Sequence, residues 1–96
     1  MKEVKIHLNY CVIGKYDNNL YVFYKKDNKM NYKKIINLEL IDTINNANYY
    51  NIVTNKYIFK NVICNRRIYS SINNINILEK MALNIIDNSF GIYSML

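Results

Sequence analysis

A chain of 96 residues, 51% hydrophobic with a net charge of +6, makes one domain (1–96) with material for an apolar core, and it is too apolar for its charge to remain disordered. Two cysteines, one histidine and two glycines exclude a disulfide framework, a four-ligand zinc site and a glycine-rich phosphate loop. Asn, Ile, Lys and Tyr crowd the chain while Pro and Trp are missing, a bias toward A/T-rich codons expected of a low-GC genome or its mobile elements, phage or viral, so the basic balance does not by itself name a partner.

The opening stretch MKEVKIHLNYCVIG alternates polar and apolar residues, unlike the unbroken apolar block of a signal peptide. Val4, Ile6, Leu8, Tyr10 and Val12 fall on one face of a strand, with Lys5, His7, Asn9 and Cys11 on the other. His7 and Cys11 share a face but stand two intervals of about 6.5–7 Å apart, too far for a catalytic dyad. Cys11 and Cys64 read as free, buried thiols, which together with the absent membrane span points to a cytoplasmic protein.

GKYDNN then breaks the strand, and a second one follows from Leu20. DNK, at 27–29, reads as a three-residue turn into a third strand from Met30 to about Ile41. That register groups Leu20, Val22 and Tyr24 with Met30, Tyr32, Ile36 and Leu38 as a core face. The opposite face then displays Tyr21, Phe23 and Lys25 beside Asn31 and Lys33. A two-residue turn at Asp27 and Asn28 mixes lysine into both faces and is the less consistent choice. Rings among cations suit single-stranded nucleic acid, where each stacked base contributes about 1–3 kcal/mol. The competing reading is that the rest of the chain covers this face and the rings are core.

DTINNAN reads as an irregular connection, with Asp42 capping one helical turn. YYNIV and YIFKNVIC read as strands around Thr54 to Lys56, with Tyr50, Ile52, Phe59 and Ile63 on one face. Arg66 and Arg67, with Lys56 and Lys60 near in sequence, form a second basic cluster, and Ile68 and Tyr69 suit a short strand. From Ser71, an expected N-cap, Ile75, Leu78, Ala82 and Ile85 recur at helical spacing, widened by Met81 and Ile86. Asn88, Ser89 and Gly91 should end that helix, leaving Phe90, Ile92, Met95 and Leu96 to tuck against the body.

The expected architecture is α+β: a twisted antiparallel sheet or small open barrel of five or six strands closed by one C-terminal amphipathic helix. In element order this resembles the small barrels of the pleckstrin-homology type, where a C-terminal helix plugs one end, although that family's helix tryptophan is missing here. An RNA-recognition fold is excluded, because LYVFYKK lacks the glycines of its central motif and no helix separates the first two strands.

Charge is uneven: residues 1–67 carry twelve Lys or Arg against five acids, and 68–96 carry Lys80 against Glu79 and Asp87. No catalytic group, metal site or cofactor site is expected. The expected function is that of a small non-catalytic inhibitor or adaptor on a larger macromolecule, a nucleic-acid-handling enzyme or ribonucleoprotein in the anti-CRISPR manner. Ten tyrosines favour a protein partner, because the ring is large, rigid and able to hydrogen-bond. Positive charge excludes imitation of DNA. The alternative is direct binding of single-stranded RNA or DNA, and the candidate contact residues are Tyr21, Phe23, Lys25, Lys33, Arg66 and Arg67. A membrane role would rest on Lys15, Lys25 and Lys26 alone and is not favoured; sheet edges and an apolar C-terminus leave room for a homodimer.

Overall fold

The computed structural model describes residues 4–6, 10–64, 66–69 and 74–94, with backbone alone for 4–6 and 89–94. Among these residues seven strands precede one helix: β1 (Val4–Ile6), β2 (Val12–Tyr16), β3 (Asn19–Lys26), β4 (Lys29–Ile44), β5 (Ala47–Thr54), β6 (Tyr57–Ile63), β7 (Arg67–Tyr69) and α1 (Ile75–Ser94). The strands form one open sheet in the order β1-β6-β5-β4-β3-β2-β7. The fold is α+β, as its sequence indicates. The sheet is mixed: β2 through β6 form an antiparallel meander, and β1 on β6 and β2 on β7 pair in parallel. A bridge between Tyr10 and Ile63 lies between those parallel pairs, so the first and last strand segments run side by side along a seam.

Two-residue turns make the hairpins. Asp17–Asn18, Asp27–Asn28 and Asn45–Asn46 all have positive φ, between 49° and 66°. That geometry matches the right-handed twist of the flanking strands, and Asn and Asp tolerate it where glycine is scarce. Three expectations are corrected here. Gly14 to Tyr16 belong to β2, since the turn is confined to Asp17 and Asn18. Strand β4 runs through Asp42 to Ile44, so DTINNAN is hairpin, and the Asp42 carboxylate accepts from the Thr43 N–H at 2.8 Å. The three-residue turn at Asp27–Lys29 is a two-residue turn, pairing Phe23 with Tyr32, Tyr24 with Asn31 and Lys26 with Lys29.

Residues on the two sides of the sheet build separate cores. Inside the curl lie Cys11, Ile13, Val22, Tyr24, Ile35, Tyr50, Ile52, Tyr57, Phe59, Val62 and Cys64. Val62 takes the inward position expected of Ile63, because Asn61 adopts a φ of 58° in an irregularity that shifts the β5–β6 register. Such a shift exchanges inward and outward residues beyond it.

Outside, α1 lies across β2, β3, β7 and the start of β4. Leu78, Ala82 and Ile86 meet Val12, Phe23 and Ile68 there, flanked by half-buried Ile75, Ile85, Tyr21, Met30 and Tyr32. Fully burying a side chain such as Leu78 or Ile86 stabilises the fold by about 1.5–3 kcal/mol. The helix therefore packs on one face of the sheet. Gly14 leaves room beneath the helix for the Phe23 ring, since a Cβ there would sit 2.5 Å from its Cε1.

Asn74 caps α1, its side-chain oxygen accepting the Asn76 N–H at 3.0 Å. Ser71, the expected cap, lies outside the described residues. The helix continues past Asn88 and through Gly91 to Ser94, so the expected stop is not used. The packing of Phe90, Ile92, Met95 and Leu96 lies outside the described side chains.

Candidate anion-binding mouth and exposed strand

Inside the curl, the two-residue turn sets Lys26 opposite Lys29, Tyr24 opposite Asn31 and Val22 opposite Lys33. Directly opposed residues share a face, so these lysines stand with Tyr24 at one end of the inner core. From the next hairpin, Thr54 fixes the β5–β6 turn: its hydroxyl donates to the Tyr57 carbonyl at 3.0 Å and accepts the N–H groups of Tyr57 at 2.9 Å and Lys56 at 3.3 Å. Tyr57 and Lys56 are thereby brought to the same end. Tyr24, Lys26, Asp27, Lys29, Asn31, Lys33, Lys56 and Tyr57 line a recess of about 270 Å³.

Among the described residues four lysines and one aspartate line the recess, a formal charge of +3. Lys26 donates to the Tyr57 hydroxyl at 3.5 Å. The Lys26 and Lys56 ammoniums lie 5.1 Å and 5.2 Å from the Tyr57 ring centre, within the range where cations are drawn to an aromatic face. Hydrogen bonding from Lys56, followed by that from Lys26, holds the Tyr57 phenol below its ordinary value. Burial, with the neighbouring Tyr57 as a second cause, pushes Tyr24 up to about 12. Lys33 donates to the Tyr32 carbonyl at 3.3 Å.

The expected contact residues do not assemble as one surface. Phe23 is completely buried beneath α1, and Tyr21 packs edge-on between Tyr16 and Tyr32 in the same core. The enclosed Phe23 ring cannot stack on a base, and Tyr21 is half-buried. Lys25 shares their face and pairs with Asp87 on the helix, whereas Lys33 points into the recess on the other side. Arg66 and Arg67 are exposed, and Arg67 donates to the Tyr50 hydroxyl at 3.4 Å. They lie past the far end of β6 from Lys56, roughly 20 Å away by strand rise, so the second basic cluster divides.

Local sequence pattern does not bring Lys26, Lys29, Lys56 and Tyr57 together: a two-residue turn at Asp27–Asn28 sets Lys26 opposite Lys29, but Lys56 and Tyr57 join them from a separate hairpin. The sequence reading also missed the distal half of β4. Ile36, Leu40, Ile41 and Ile44 are there 61%, 55%, 39% and 49% exposed, and Ile36 and Ile41 fall at two register irregularities against β5. Such irregularities re-aim side chains out of the regular alternation.

Cys11 and Cys64 are free and buried. Hydrogen bonding with Cys64, reinforced by burial, pushes the Cys11 thiol well above its ordinary value. Among the described residues no three His, Cys, Asp or Glu side chains gather to hold a metal, and no helix is long and apolar enough to cross a membrane. The chain matches no family model, no curated protein and no solved structure.

Proposed function

We propose that the protein is a non-catalytic inhibitor or adaptor that docks the distal half of β4 against a larger, basic protein of the nucleic-acid-handling kind. The observation that carries this reading is the exposure of Ile36, Leu40, Ile41 and Ile44 along one strand segment. Large apolar side chains gathered on one exposed segment mark protein contact sites. The local charge supports a basic partner. Between Lys34 and Lys56 the only charged residues are Glu39 and Asp42, both exposed, in a chain whose net charge is +6. A segment of opposite sign to its own protein is complementary to a cationic rim, the kind of surface a protein that handles nucleic acid presents.

The test compares native-host affinity purifications, with nuclease present, using the wild-type chain and the Ile36→Ser/Leu40→Ser/Ile44→Ser variant. A basic protein captured by the wild type and lost with the variant supports the reading. Equal capture by both, or capture abolished by nuclease, overturns it, as does a stable homodimer of the purified wild type that the variant breaks.

The alternative of direct single-stranded nucleic-acid binding through Tyr21, Phe23, Lys25 and Lys33 loses its stacking ring to the core under α1.

A further inference from the structure

We propose that the recess between the β3–β4 and β5–β6 turns is a binding site for a compact, multiply charged phosphate group, of the kind carried by a nucleoside diphosphate or free pyrophosphate. Lys26, Lys29, Lys33 and Lys56 line it from two hairpins, with Asp27 as the single acid among the described residues of its lining. Like charges drawn together raise the energy of the folded chain unless a counter-charge joins them. Internal neutralisation is slight. Among the described residues the ion pair is Lys25 with Asp87, on the opposite face of the sheet, and none of the four recess lysines takes part in it.

The shape of the recess selects the class of anion. Sites for drug-sized ligands begin at about 300 Å³, and this one is about 270 Å³, suited to a phosphate or diphosphate moiety more than to a large organic body. The four lysines come from the ends of two hairpins and line one small recess, a footprint matched to a single phosphate or diphosphate more than to an extended nucleic-acid backbone. Lysine acts on phosphate as a flexible point charge, so a set of lysines reads charge density more than shape. Tyr57 adds direction. Its hydroxyl oxygen accepts from Lys26, leaving the phenolic proton free to be donated to a bound oxygen.

Isothermal titration calorimetry of the full chain tests this with inorganic pyrophosphate, inorganic phosphate and a 5′-hydroxyl thymidine oligonucleotide as probes. Pyrophosphate is expected to bind one per chain, more tightly than phosphate and less tightly as salt rises. The Lys33→Gln/Lys56→Gln variant is expected to lose about tenfold or more in affinity, the scale of a lost hydrogen bond to a charged group. Circular dichroism and a urea midpoint no lower than wild type establish that this variant folds. Lys25→Gln, altered on the opposite face, is expected to bind as the wild type does. The proposal is overturned if pyrophosphate gives no saturable binding, if the double variant binds it unchanged, if Lys25→Gln loses as much, or if only the oligonucleotide binds. None of these outcomes depends on the docking role of β4.

Discussion

The two faces of the hairpin from Asn19 to Lys34 are built from similar residues and end in opposite environments. On the outer face, Tyr21, Phe23, Met30 and Tyr32 lie beneath α1, and Lys25 reaches Asp87 at the helix edge. On the inner face, Tyr24 begins the core and Lys26, Lys29 and Lys33 open toward solvent at its mouth. Composition does not separate these environments. What separates them is one residue of register, set by a two-residue turn, together with a helix whose apolar stripe covers one face alone.

Removing the ring that the helix covers is the strongest way to break the contrast. Phe23→Ala should cost about 3–5 kcal/mol, a large share of the roughly 5–15 kcal/mol that stabilises a typical domain. Urea unfolding followed by circular dichroism measures it; a loss below about 1 kcal/mol would place the ring outside a packed core.

A smaller effect tests the turn that sets the register. Asn28 sits at a φ of 62°, a region that costs a residue with a branched side chain about 1–2 kcal/mol. Asn28→Val should therefore destabilise the fold by about that amount, whereas Asn28→Gly should be neutral or raise stability by a few tenths of a kcal/mol. Equal responses to the two substitutions in urea midpoints would argue against the left-handed turn.

The smallest effect is absent at neutral pH and concerns the inner face. Tyr24 holds its proton up to about 12 when folded, against an ordinary value of 10.0, so the folded state binds that proton more tightly than the unfolded one. Its contribution is intact below pH 10 and is lost as pH rises from 10 toward 12. Tyr57, facing Tyr24 with Lys26 and Lys56 beside it, has the opposite sign and favours the fold as it ionises below its ordinary value. Tyr24→Phe should flatten the alkaline decline in urea midpoint. A decline of unchanged slope would assign it to other groups.

The helix was legible because Leu78, Ala82 and Ile86 recur at a period that only a helix aligns, and the antiparallel meander was legible from strands punctuated by Asn and Asp. Register was less so. Choosing the turn that kept lysine off the core face assumed that each face must be wholly apolar or wholly polar, whereas the inner face is apolar at Val22 and cationic at Lys26. Position along the strand matters as much as face when one end of a sheet opens to water. The shift from Ile63 to Val62 rests on the backbone of Asn61, a residue type common in this chain and otherwise silent about its conformation. The seam was hidden for a further reason: parallel pairing of β1 with β6 and β2 with β7 joins segments about fifty residues apart, and local pattern carries no record of it.

That seam also bears on the order in which the chain is assembled. The hairpins around Asp17–Asn18, Asp27–Asn28 and Asn45–Asn46 join neighbouring strands and can close while the ribosome is still translating. The parallel partners of β1 and β2 do not exist until residues 57 to 69 have been made. Loop-closure entropy must be met before such distant pairings reward it, which makes them the slow ones. Until then β2 keeps an open edge toward the side where β7 will lie, and the nascent protein is most exposed to wrong partners in the interval before its last third emerges.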